Sequence, residues 1–256
     1  MNRVHTRQSV PIRPDRAYVI AEFGSNHNGA IYQCEQAVKA AAHAGADACK
    51  FQLFHLEDIL IDPSKGRRQA EFRPEWIERV AGYCREYHID FLCTPFARWA
   101  VLALDPYVQM WKIGSFEHAR EDIFRPVIAS GKPTIISTGR GRPYPLPSEW
   151  HPMWLRCVSK YPAPVEDIYL EFKLYDGLSD HTTSTIIPAL AVARGARIIE
   201  KHFRLEDTPT DSPDYPHSLT PSQLAEMVDN IRLAELTCWR QPPADTKLEV
   251  FSNRRE

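Results

Sequence analysis

A parallel (β/α)8 barrel, or TIM barrel, is the α/β fold this sequence predicts, on three observations. Eight short strand-like runs recur along the chain, helical apolar stripes separate several of them, and the 256 residues match the roughly 250 typical of one such barrel. Strands alternating with helices call for a parallel sheet with helical crossovers. The runs are 18–22, 48–53, 90–93, 110–113, 134–137, 154–158, 176–179 and 197–201. Between the first two, Ile31, Cys34, Val38, Ala41 and Ala42 share one helical face, which Gly45 ends. Trp76, Ile77, Val80, Cys84 and Tyr87 form a second stripe, and Ile123, Phe124, Val127 and Ile128 a third, closed by Gly131. Thr220, Pro221 and Gln223 have the form of a capping box with proline at the first helical position. They open a helix carried by Leu224, Met227, Val228 and Ile231. One crossover helix, at about residues 140–153, is expected to be lost or shortened, because Pro143, Pro145, Pro147 and Pro152 fall there. A helix interior accepts each proline only at a cost of about 3 kcal/mol.

Composition narrows the class. With 43% hydrophobic residues the chain can bury one large core. The expected organisation is an N-terminal extension over 1–17, one barrel domain over 18–240 and a tail over 241–256. A net charge of −2 without a long basic run leaves no electrostatic footprint for nucleic acid. No apolar stretch approaches the roughly 18 residues of a membrane helix, and the polar N-terminus does not read as a signal peptide. Cysteines 34, 49, 84, 93, 157 and 238 form no CxxC pair and read as reduced thiols. A soluble cytoplasmic protein is expected.

In such a barrel the chemistry sits at the C-terminal ends of the strands. The polar residues there are Glu22, Lys50 with Gln52, Thr94, Lys112 with Ser115 and Glu117, Ser137 with Thr138, Ser159 with Tyr161, Ser179 with His181, and Lys201 with His202. A lysine at the end of an apolar strand is costly to bury without a counter-charge. Singly it is a snorkelling stem or half of an ion pair. Two lysines among hydroxyl residues suit a phosphate or carboxylate. His181 and His202 each follow a late strand, so both could enter one barrel mouth and bind a divalent metal with coordination positions left open. Either alone is as readily a hydrogen-bonded core histidine. His27 orients a substrate or stabilises a turn, Glu200 fits an ion pair with Lys201, and Asp214 lies in a turn-rich loop.

The runs IAEFGSNHNG (20–29), AGADACKFQ (44–52), FLCTPF (91–96), WKIGSFE (111–117), GKPTIISTG (131–139), YPAPVEDI (161–168), GLSDHT (177–182) and IIEKHF (198–203) resemble the sialic acid synthase family. That family condenses phosphoenolpyruvate with a sugar aldehyde, and the resemblance spans about residues 18–235. It implies a divalent metal, usually manganese, with magnesium or cobalt as alternatives, on His181 and His202. It implies phosphoenolpyruvate held by Lys50, Thr94, Lys112, Ser115, Ser137, Tyr161 and Ser179. Glu22, Gln52, Glu117 and Asp214 would surround the aldose and the reacting carbons, with Glu22 and Glu117 as the catalytic carboxylates. The implied products are a 3-deoxy-2-ulosonic, sialic-acid-like acid and phosphate.

Members commonly continue into a C-terminal antifreeze-like domain that reaches a neighbouring subunit's site. The barrel alone is expected here, with a homo-oligomer or a separate partner protein left open. Ser159 stands where the family usually has asparagine, and Val158 where it usually has threonine. Retained phosphoenolpyruvate and metal binding is therefore expected, whereas recognition of an N-acetylated mannosamine-type acceptor is not implied: a different aldose, or help from a separate protein, stays open. Two further classes stay open: a Schiff-base aldolase using Lys50, Lys112 or Lys201 as a desolvated amine, and a sugar-binding or regulatory barrel without turnover.

Overall fold

The structure, a computed structural model, describes residues 13, 15–59, 62, 64, 66–117, 119–139 and 146–239. The expected tail and all but the end of the expected N-terminal extension lie outside them. Eight parallel strands form the sheet: β1 (Tyr18–Gly24), β2 (Ala48–Leu53), β3 (Asp90–Pro95), β4 (Trp111–Ile113), β5 (Thr134–Thr138), β6 (Met153–Cys157), β7 (Gly177–Asp180) and β8 (Ile198–His202). Their hydrogen-bonded order is β3-β2-β1-β8-β7-β6-β5-β4. The two end strands, β3 and β4, meet across a seam without a ladder among the described residues, so the barrel is nearly closed.

The helices are α1 (Ile31–His43), α2 (Leu56–Ile59), α3 (Ile77–Glu86), α4 (Arg98–Leu104), α5 (Glu121–Ser130), α6 (Ile187–Ala193) and α7 (Pro221–Cys238). α1 buries Cys34, Val38 and Ala41 on the expected face, and α3 buries Ile77, Val80 and Cys84. Gly131 ends α5 with φ +69°, the left-handed conformation that glycine adopts without a Cβ penalty. At α7 the capping box is complete: the Thr220 hydroxyl accepts from the Gln223 amide, and the Gln223 side chain accepts from the Thr220 amide.

Strand alternation sorts the side chains. Tyr18, Ile20, Ala48, Leu92, Met110, Ile135, Leu155 and Ile198 fill the N-terminal half of the barrel interior. Val19, Phe51, Cys93, Trp111, Ile136, Leu178 and Ile199 point outward into the layer covered by helices. Two residues beyond the interior apolar set stand Glu22, Lys50, Thr94, Lys112, Ser137, Cys157 and Glu200, all buried. The interior is thus an apolar plug capped by a polar layer at the C-terminal end.

Two crossovers lack an α-helix among the described residues. After β5, residues 146–152 carry none, as the prolines predict, while 140–145 lie outside the described residues. After β6 the connection also has no α-helix, only a 3-10 turn at Val165–Asp167. Strict alternation did not predict this second loss, yet Pro162 and Pro164 disfavour a helix there for the same reason. Among the described residues no helix is long and apolar enough to cross a membrane.

Candidate active site

A cavity of about 260 Å³ opens at the C-terminal ends of the strands. Glu22, Lys50, Gln52, Thr94, Lys112, Ser115, Glu117, Ser137, Tyr161, Ser179, His181, His202 and Asp214 all line it. A larger hollow of about 640 Å³ lies at the other end, among Cys84, Leu92, Met110 and Lys132. Its polar residues, Arg85, Asp90, Gln109 and Lys132, are exposed or half-exposed at the N-terminal ends of the strands, whereas a barrel's chemistry sits at the C-terminal ends, so it belongs to the smaller cavity.

Register brings the charges together. Glu22 of β1 is level with Lys50 on β2 and with His202 on β8. Lys50 Nζ lies 2.8 Å from Glu22 Oε2 and 3.7 Å from Glu200 Oε2, and donates to Thr94 Oγ1 at 2.9 Å. Lys112 Nζ donates to Ser137 Oγ at 2.8 Å and lies 3.3 Å from Glu200 Oε1, which accepts from Ser179 Oγ at 2.8 Å. Gln52 donates to Glu22 Oε1 at 2.6 Å. Burial works against ionisation of Glu200, but Lys112 and Lys50 outweigh it and hold its carboxyl down at about 2. Glu22 goes the other way, raised by burial against the opposing pull of Lys50. Burial pushes the Glu117 carboxyl up to about 7, and its Oε2 has no hydrogen-bond partner. A Cβ on Gly114 would collide with that oxygen, so glycine there leaves room for the carboxylate.

Three histidine rings share the cavity wall. Ring centroids are 5.4 Å apart for His181 and His202, 4.5 Å for His202 and His217, and 6.2 Å for His181 and His217. Tyr161 packs on His181 at 4.2 Å. His181 Nδ1 is 2.9 Å from the Val158 carbonyl oxygen, which can only accept. Nδ1 is therefore the protonated nitrogen, and the Nε2 lone pair is left for a ligand. Burial holds His181 down at about 4 and pushes His202 well below its ordinary value, so both are neutral donors. His202 Nδ1 is 3.9 Å from Asp214 Oδ2 and has no hydrogen-bond partner. Asp214 is set by Ser25, whose amide and hydroxyl each donate to Oδ2 at 2.9 Å. Gly24, at φ +55°, permits this approach, because a Cβ would strike the Asp214 carboxylate. Buried neutral imidazoles, an orphaned ring nitrogen and an oriented carboxylate suit a divalent cation.

The pattern of the NeuB family matches residues 37–144 and 148–240. The chain belongs to the NeuB family. Pseudaminic acid synthase of Campylobacter jejuni is 33% identical over 257 residues, covering 86% of this chain and 74% of the relative. Human N-acetylneuraminate-9-phosphate synthase is 30% identical over 252 residues, covering 85% and 70%. Among solved structures, the N-acetylneuraminic acid synthetase of Leptospira borgpetersenii, in complex with citrate, superposes with a TM-score of 0.79 at 26% identity, covering 90% of this chain and 89% of that one.

The structure overturns one reading of the sequence, decides a second between its alternatives and adds a residue. Glu200 does not pair with Lys201: successive strand residues face opposite sides, so Glu200 enters the cavity while Lys201 turns outward to Asp180, at 2.6 Å. His27 lies outside the cavity lining, accepting from the Gly29 amide at 3.2 Å with its ring edge against Phe72 and Trp76. It is a turn residue. His217 went unremarked in the sequence, and it lines the cavity beside His202.

Proposed function

We propose that this NeuB-family chain condenses phosphoenolpyruvate with an aldose, giving a 3-deoxy-2-ulosonic acid and phosphate. The observation that carries this reading is the pair Lys50 and Lys112, buried among Thr94, Ser137 and Ser179 with Glu200 between them and the histidines alongside. Two ammonium groups and three hydroxyls suit the phosphate and carboxylate of an enol phosphate. The names of the relatives, synthases of sialic-type acids, agree with this substrate class.

In this scheme His181 and His202 hold the cation, with Asp214 next to His202. A divalent cation there supplies Lewis-acid polarisation of the acceptor's carbonyl oxygen. The lysines fix phosphoenolpyruvate so that its methylene carbon faces the aldehyde carbon; the enol π pair forms the new C–C bond as the carbonyl π pair moves onto the aldehyde oxygen, leaving an alkoxide and an electron-poor C2. Water then adds to the electron-poor C2 as Glu117 takes its proton, with Glu22 as the other carboxylate facing the reacting carbons. The proton that Glu117 takes passes to the alkoxide, and the C2–O bond breaks as the new C2 hydroxyl becomes the keto oxygen and gives its proton to the phosphate, which leaves with the bridging oxygen. Lys50 and Lys112 neutralise phosphate charge throughout, the kind of electrostatic stabilisation that is often the largest catalytic contribution. A cytoplasmic setting, in which the five buried thiols stay reduced, completes the reading.

The test is phosphate release from phosphoenolpyruvate with manganese across a panel of aldoses, with the product mass recorded. One aldose should give stoichiometric phosphate and a product equal in mass to aldose plus pyruvate. Release without a condensed product contradicts the reading. A Schiff-base aldolase retains one candidate amine, Lys112, whose pKa burial lowers. Borohydride trapping of a carbonyl substrate on that lysine would select it, together with activity in excess chelator. Lys201, turned outward to Asp180, is not a candidate.

A further inference from the structure

We propose that His217 is a protein ligand of the divalent cation, joining His181 and His202 beside Asp214. This rests on the reading that the cavity holds such a cation. His217 is 2% exposed, and neither of its ring nitrogens has a hydrogen-bond partner. A buried imidazole that gives up water and gains no partner is a costly arrangement, so the ring needs a compensating ligand. Its surroundings indicate what that ligand is. Nε2 stands 3.6 Å from Asp214 Oδ1, the ring centroid is 4.5 Å from that of His202, and one donor atom from each of the three residues lies within 4.8 Å of the others. Donors bonded at about 2.1 Å to one ion lie roughly 3 to 4 Å from one another, so small side-chain movements bring this set onto a cation.

The loop returns His217 to this place by backbone bonding. Leu219 N donates to the His202 carbonyl at 2.9 Å, and Ser218 Oγ donates to the Asp214 carbonyl. Three imidazoles beside a carboxylate are a donor set that transition metals accept while keeping positions open for substrate. A third protein donor strengthens the hold on the ion before substrate arrives, when a site with fewer protein ligands would depend on water.

The experiment uses the whole chain with manganese as probe, and reads binding instead of turnover. Manganese affinity is measured by calorimetry for the wild type, His202→Ala and His217→Phe. Directly bound imidazole is read by electron–nuclear double resonance on protein labelled with nitrogen-15 histidine. Partners one shell further out already change metal affinity by roughly ten- to a hundredfold, so His217→Phe should weaken manganese by at least about tenfold. It should also remove one class of histidine coupling. If this variant does not melt cooperatively, His217→Asn, polar but too short to reach the ion, takes its place. Full histidine coupling in the variant overturns the proposal whatever its affinity. A wild type that binds no manganese overturns the cation reading itself. A wild type that binds, with His202→Ala weakened and His217→Phe unchanged, overturns only the role of His217.

Discussion

At the scale of residues, two carboxyls in one cavity are driven to opposite protonation. Glu200 sits between Lys50 and Lys112, which hold it ionised, whereas Glu117 is buried with an unpartnered oxygen and is raised to about 7. A base of that pKa works once ionised, so condensation should gain rate as pH rises through about 7. E117Q should abolish that limb and lower kcat by roughly a hundredfold or more; a pH–rate profile for both proteins is the check. Stability gives the opposite sign. Glu117 binds its proton more tightly folded than unfolded, so its contribution is full below about 4.5, the ordinary value, and lost as pH rises towards 7. Relative to wild type, E117Q should therefore be more stable at pH 8 than at pH 4.5, by up to about 3 kcal/mol. Urea unfolding of both proteins at the two pH values measures it. His217 belongs to this scale too: a histidine in a turn-rich loop carries no periodic signal, and only its return beside His202 shows what it faces.

At the scale of elements, α7 ties the barrel's start to its end. Ala17 N donates to Glu235 Oε1 at 2.6 Å, and Arg232 joins Glu235 to Asp47 just before β2. Thr220, whose capping box opens this helix, is not among the residues that line the cavity. T220A should lower stability by about 1 kcal/mol and leave phosphate release per folded molecule unchanged, which melting and activity together will show. The turn after β1 is more sensitive. G24A must hold φ near +55° and pushes a methyl into Asp214. It should cost about 1 kcal/mol or more in stability and weaken manganese binding, both readable by calorimetry. Strand alternation explains what the sequence revealed at this scale. Six of the eight barrel strands, β1 to β5 and β8, place a polar residue two positions beyond an interior apolar one, and all thirteen expected site residues line the one cavity. The same alternation was available for Glu200, which shares a face with His202 and not with Lys201. The helix-free connection after β6 was harder to foresee, because Pro162 and Pro164 sit beside residues that the site itself uses.

At the scale of the molecule, the barrel divides its labour along its axis. The apolar plug of Ile20, Leu92, Ile135 and Ile198 supports the sheet from below, so charged groups collect only where the strands end and the loops begin. Eight strands and their order were legible because period-two and helical patterns survive in sequence. The seam between β3 and β4 was not, since ladder formation depends on geometry that residue type does not encode. The arrangement groups the parts of the proposed reaction by sector: the lysines with Thr94 and Ser137 over β2 to β5, Ser179 with the histidines and Asp214 over β7, β8 and the loop beyond, and Glu117 after β4. In the proposed reaction phosphate departs by cleavage at carbon, after water adds to C2. The most direct measurement supplies phosphoenolpyruvate carrying oxygen-18 in the bridging position, with manganese and an accepted aldose, and follows the label by mass spectrometry. The label should leave entirely with the released phosphate. Its retention in the keto acid would mean cleavage between phosphorus and oxygen, and would contradict the account.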